Sequence, residues 1–178
     1  MTETLSNEHC CIAELAADAL SIRRLDASAR AAVRSHFAGL PSDDLYLRFG
    51  NLPGDCVLDG YVERMDFVES LVLGACDADG AVAGLLELRR RGAEFEVGIS
   101  VLPAYRGCGV GDRLLALALE HAGKQGGSVI VHCLATNQAM MDLARHHGAR
   151  FECCGSDAKG VIELRRVAEA APILALAS

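Results

Sequence analysis

The segment Val101-Leu-Pro-Ala-Tyr-Arg-Gly-Cys-Gly-Val-Gly111 constrains this chain more than any other. Upstream, residues 94–101 alternate cleanly: Phe95, Val97, Ile99 and Val101 point one way, Glu94, Glu96, Gly98 and Ser100 the other. Downstream, residues 112 to about 124 carry leucine and alanine on most sides, as a helix buried against a sheet does. A strand, a glycine turn and a buried helix in succession call for a layered α/β fold. The turn also suits one kind of ligand. Glycines at 107, 109 and 111 let the backbone approach closely, and the helix start adds unpaired N–H groups at the positive end of its dipole. Such a loop holds a phosphate or pyrophosphate with little side-chain help, and Arg106 supplies one charge beside it. The spacing is G-x-G-x-G, not the G-x-G-x-x-G of dinucleotide folds. No acidic residue on a following strand end awaits a ribose, and no lysine follows as in a P-loop.

The remaining pattern places this unit in a sheet. Residues 21–25 form a short strand, and Asp26 caps a helix to about 38 with Val33 and Phe37 on its inner face. Ser42 caps a short helix through Phe49, and Val57, Leu58, Tyr61, Val62, Met65 and Val68 follow at helical spacing. Strands at 71–76 and 81–90, joined by the Asp77–Gly80 turn, make an antiparallel meander with 94–101. A buried strand spans 128–134. A helix capped by Thr136 or Asn137 runs to His147 and closes at Gly148. Strands at 149–154 and 161–167 flank a turn at 156–160. The order implies a mixed sheet with helices on both faces. One domain, 19–168, is expected between a leader (1–18) and a tail (169–178).

Charge and cysteine content narrow the partners. A formal charge of −7 disfavours nucleic acid and anionic lipid and attracts a cationic amine. The eight cysteines lack any C-x-x-C spacing, so they are expected as buried thiols, with no metal site. His146 and His147 with Cys153 and Cys154 are the nearest thing to a ligand cluster, and nothing in their spacing favours one. The first residues have no basic region followed by an apolar stretch. The apolar run 173–177 is far short of the about 20 residues a bilayer needs, so a cytoplasmic protein without membrane contact is expected.

On Arg106, Gly109 and Gly111, the chain resembles the GNAT superfamily of N-acetyltransferases, whose signature is Arg or Gln, two residues, Gly, one residue, then Gly or Ala. The resemblance covers residues 20–167, and Asn137 at a helix cap and Gly148 at that helix's end extend it. It implies the GNAT fold, a central mixed, mostly antiparallel sheet with helices on both faces, and acetyl-CoA as co-substrate. The pantetheine would pair with Ile99, Ser100 and Val101, the pyrophosphate with Arg106, Gly107, Cys108, Gly109, Val110, Gly111 and Asp112, and Asn137 would lie beside the pantetheine arm or thiol. Attack requires a neutral amine, and a strand carboxylate can take its proton. Glu96, ten residues before Arg106 where many members keep a basic glutamate, is the expected base, with Glu94 in reserve. The tyrosine that re-protonates the thiolate in many relatives is Ala144 here, leaving His146, His147, Cys133 or water. Cys108 has no visible base partner for a covalent route.

Residues 22–25 and 45–49 resemble bacterial protein-lysine acetyltransferases. The expected reaction is therefore direct acetyl transfer to a primary amine, a protein lysine first and a small amine or amino acid second, by a monomer or homodimer. Arg23, Arg24 and Arg48 suggest a basic patch for docking an acidic target surface. An inactive acyl-CoA-binding regulator would keep the same loop and stands as the reading of another class.

Overall fold

A computed structural model describes residues 19–164. The expected leader, the tail and the end of the last strand lie outside the described residues. Within them the strands are β1 (Ser21–Arg24), β2 (Leu71–Cys76), β3 (Val82–Arg91), β4 (Glu94–Val101), β5 (Ser128–Leu134), β6 (Arg150–Cys154) and β7 (Asp157–Ile162). The helices are α1 (Arg30–Ala38), α2 (Ser42–Phe49), α3 (Asp55–Arg64), α4 (Val110–Gln125) and α5 (Gln138–His146). The strands form one sheet in the order β1-β2-β3-β4-β5-β7-β6. Every neighbouring pair is antiparallel except β4 and β5, which run parallel.

Two cores sandwich this sheet. On one face Leu86, Leu88, Phe95 and Val97 pack under Leu114, Leu115 and Ala118 of α4. On the other, Leu85 and Val72 meet Val33 and Phe37 of α1 and Leu58 and Val62 of α3. Leu85 and Leu86 fall into different cores because successive strand residues point to opposite faces. β2 is buried throughout and β3 nearly so, which explains their continuous apolar runs, while β4 keeps its alternation.

Local chemistry sets most boundaries. Asp26 accepts from the Ser28 N–H at 2.8 Å and starts a short 3-10 turn that leads into α1. Ser42 does not cap α2; Pro41 holds that position, and Ser42 is the first helical residue. The third helix stops at Arg64, so Val68 lies beyond it and is 79% exposed; within the helix Val57 sits on the outer face, 59% exposed, while Leu58 and Val62, and Met65 just past the end, turn inward. α4 begins at Val110, two residues earlier than Asp112. The largest difference lies in the last hairpin. β7 starts at Asp157 rather than Val161, and the turn is Gly155-Ser156, with Gly155 at φ +62°. Gly160 belongs to the strand: its missing Cβ makes room for the Phe151 ring, whose Cζ lies 2.6 Å from where that atom would be.

Candidate functional site

The β4–β5 ladder is short. It runs from Glu94 opposite Ser128 to Val97 opposite Val131 and then stops. Beyond it β4 stays bonded only to β3, and β5 only to β7. The edge of Ile99, Ser100 and Val101 that faces β5 is therefore left without a strand. A cleft of about 440 Å³ opens there, floored by the diverging strands and walled by the glycine loop and α5. Ile99, Ser100, Val101, Arg106, Gly107, Gly109, Val110, Gly111, Asp112 and Asn137 all line it; Cys108 does not, and its Sγ–H faces the Arg106 carbonyl at 3.3 Å.

The loop borders open space that its own side chains do not fill. Gly107 and Gly109 sit at φ +75° and +74°, and a Cβ at either would meet nothing within 4 Å. Gly111 is different: it is already helical, and a Cβ there would make ordinary contact with Leu143 at 3.5 Å. The amides from Gly107 to Asp112 donate to no carbonyl among the described residues, as expected at a helix start. Arg106 folds across the end of β4, where its Nε donates to the Val101 carbonyl at 2.9 Å and its guanidinium pairs with Asp44 of α2 at 2.6 Å. Asp112 receives His147 Nε2 at 2.9 Å and lies 3.6 Å from His146. Neither histidine lines the cleft. Asn137 caps α5 by accepting the Met140 N–H at 3.0 Å.

A second cavity of about 260 Å³ adjoins the first through Leu47, Arg48, Val97, Gly98, His132 and Cys133. Glu96 lines it, with Arg91 Nε at 3.4 Å and Arg89 at 4.0 Å. Glu94 is exposed and lines neither cavity. Burial pushes the Cys133 thiol up, so it stays protonated at neutral pH. Ala144 is fully buried and supplies no acid.

Several polar groups here escaped the sequence pattern. Glu87, 4% exposed and directly opposite Gly98, accepts the Tyr61 O–H at 2.5 Å and lies 3.7 Å from Arg89 Nε. A lone glutamate inside the apolar run of β3 was its signal. Arg48, expected with Arg23 and Arg24 in one patch, lies over β4 instead, with β2 and β3 between it and the Arg23–Arg24 strand. His36 is 1% exposed. Its Nδ1 faces the Val82 carbonyl at 2.9 Å, which can only accept, so Nδ1 carries the proton and Nε2 accepts the Ser100 hydroxyl at 2.8 Å. Burial, assisted by the Arg48 charge and opposed by the Val82 carbonyl, lowers its pKa to about 4. No helix among the described residues is long and apolar enough to cross a membrane.

Residues 40–149 match the profile described as the acetyltransferase (GNAT) family. No curated protein matches the sequence. Solved structures do. The GNAT domain of S. lividans PAT superposes with a TM-score of 0.73 at 21% identity, covering 82% of this chain and 90% of that one. For yncA from Salmonella typhimurium, solved with its cofactor acetyl-CoA, the values are 0.61, 20%, 86% and 98%. A phosphinothricin acetyltransferase from Sinorhizobium meliloti in complex with acetyl-CoA gives 0.62, 15%, 80% and 86%. At these identities the likeness is one of fold.

Proposed function

The chain belongs to the acetyltransferase (GNAT) family, and from that premise we propose that it carries acetyl from acetyl-CoA to a lysine side chain of a protein by direct attack in a ternary complex. The observation that carries this is the meeting of two cavities where β4 and β5 part. One has a rim of free amides suited to a pyrophosphate and a strand edge with no neighbouring strand, its Val101 carbonyl held by Arg106, suited to the amide groups of a pantetheine arm. The other is polar, holds a carboxylate, and reaches the same gap through Val97 and Gly98. The pyrophosphate would rest on Gly107 to Asp112, the arm along Ile99 to Val101, and Asn137 would flank it.

Glu96 is the proposed base. It takes a proton from the amine, directly or through one water, as the nitrogen bonds to the acetyl carbon. The carbon–sulfur bond breaks, and the CoA sulfur leaves with the electron pair and takes a proton afterwards. Glu94 is no longer the natural reserve, because it stands outside both cavities. The lysine assignment is supported by the acceptor cavity, which suits a single side chain, and by the net charge of −7, which favours a cationic acceptor. Thiol release from acetyl-CoA, measured against lysine peptides and a panel of small amines with Glu96→Gln as control, tests it. Acetylome mass spectrometry with and without the protein completes the test. Turnover of a small amine with no protein acetylation would sink the lysine assignment. Acetyl-CoA binding with no thiol release from any acceptor would favour the regulator.

A further inference from the structure

We infer that Arg48 is a catalytic residue of this transfer: its guanidinium faces the attacked carbonyl and stabilises the oxyanion and the departing thiolate. The inference rests on the proposed acetyl transfer and assigns a residue to the charge that transfer creates.

Position is the first element. Arg48 lies in the last turn of α2 and reaches across the face of β4 to cover Gly98. Its guanidinium occupies the space that any side chain at 98 would need, so the glycine is what seats it. Arg48 and Gly98 line both cavities, at the point where a thioester entering from one would meet an amine entering from the other.

Charge is the second element. Arg34, Arg89, Arg91 and Arg106 each have a carboxylate within 4.0 Å. Arg48 has none among the described residues. Its neighbours are the Tyr61 hydroxyl at 3.3 Å and the Phe49 ring, 5.2 Å from centroid to guanidinium carbon. Tyr61 donates its own proton to Glu87, so its oxygen is left to accept from Arg48. Glu87 thus orients the arginine through the phenol, without a direct ion pair to it. The positive charge is held, half-buried and with no carboxylate in contact among the described residues, beside the gap.

Chemistry supplies the third element. When the amine attacks, the carbonyl π pair moves to oxygen; collapse of that oxyanion then expels sulfur with the bonding pair, while the amine proton goes to Glu96. Negative charge passes from oxygen to sulfur within a few ångströms. The family's usual acid position is the buried Ala144, so no phenol stands ready there. A guanidinium does not deprotonate in proteins, and its fork of N–H donors can follow charge from one atom to the next. Donors fixed in advance where charge develops typically change kcat by about 10²–10³-fold.

The experiment uses the full chain, thiol release and the best acceptor found for the wild type. Arg48→Gln should lower kcat by about 10²–10³-fold, with the acetyl-CoA Kd and both KM values within about threefold. Arg48→Lys should fall between. Arg48→Gly should regain at least about tenfold in kcat with millimolar methylguanidinium, and nothing with sodium at equal ionic strength; a merely structural arginine would not show that selectivity. Gly98→Ala, which keeps the guanidinium but unseats it, should also lose kcat. Unchanged kcat in Arg48→Gln and Gly98→Ala overturns the inference. So does a loss confined to acceptor KM, which would make Arg48 an anchor for an anionic group on the acceptor. Should Arg48→Gln fail to fold, Gly98→Ala and the rescue decide alone. A wild type that releases no thiol with any amine sinks the transfer itself, an outcome distinct from active wild type with unaffected variants.

Discussion

Replacing His36 by glutamine should remove a defined share of the protein's acid sensitivity. The imidazole is sealed between the Val82 carbonyl and the Ser100 hydroxyl, with the Arg48 charge nearby, and its pKa falls from 6.5 to about 4. Above pH 6.5 the ring is neutral in both folded and unfolded chains, and its contribution to stability is fully present. As pH falls below 6.5 the unfolded chain takes up the proton first, so stability drains away until the folded pKa is passed. At about 1.4 kcal/mol per pH unit, the loss from this one group reaches about 2 kcal/mol at pH 5 and about 3 kcal/mol at pH 4. Glutamine can still donate to Val82 and accept from Ser100, but it does not titrate. His36→Gln should therefore be less stable than wild type by a constant amount near pH 7.5, and the two should converge on acidification. For a domain of this size, about 2 kcal/mol corresponds to roughly 4–8 °C of Tm. Thermal unfolding of both proteins at intervals from pH 7.5 to 5 reads the gap directly, since all other titrations cancel in the difference. Parallel curves, with a gap that never narrows, would refute the assignment of a buried neutral imidazole.

Gly109→Ala forces a side chain into the left-handed region at φ +74° at a cost of about 1–2 kcal/mol and pushes a methyl into the space proposed for the pyrophosphate; acyl-CoA binding by calorimetry should be lost while circular dichroism stays native. Glu96→Gln should lower kcat by about 10²-fold or more with little change in acetyl-CoA Kd, and the deficit should shrink at high pH, where more of the amine is already neutral; a normal rate at pH 7 would reassign the base. Tyr61→Phe leaves the buried Glu87 without its hydrogen-bond donor and should cost about 1–3 kcal/mol; a Tm within a degree of wild type would mean that Arg89 or water takes over.

Features encoded within a few residues were legible in the sequence. The alternation of β4, the glycine turn, the Asn137 cap and the leucine-rich α4 each depend on neighbours in the chain, and each appears within two residues of where its pattern puts it. The polar groups around the two cavities depend on neighbours far away. His36 meets Ser100 across 64 residues, Arg106 meets Asp44 across 62, and Tyr61 meets Glu87 across 26. No periodicity announces such pairings, and Arg48 reads as surface charge until the sheet brings Gly98 beneath it. The misplaced hairpin has the same origin. Gly160 looks like turn punctuation in the sequence, yet Phe151, which requires that glycine, lies on the neighbouring strand.

The brevity of the β4–β5 ladder has a mechanical consequence. β1 to β4 form one plate and β5 to β7 another, and between them the backbone is stitched only from Glu94–Ser128 to Val97–Val131. The stitches act as a hinge pin at one end, and α4, packed across both plates, acts as the wedge that sets how far the other end opens. Gly84 shows how tightly that wedge is driven: a Cβ on it would come within 2.9 Å of Val110 and 3.0 Å of Leu114. A single methyl group added at Gly84, on a strand that contributes nothing to the lining of the larger cleft, would press on Val110 and Leu114 in the first turns of α4, directly behind the glycine loop.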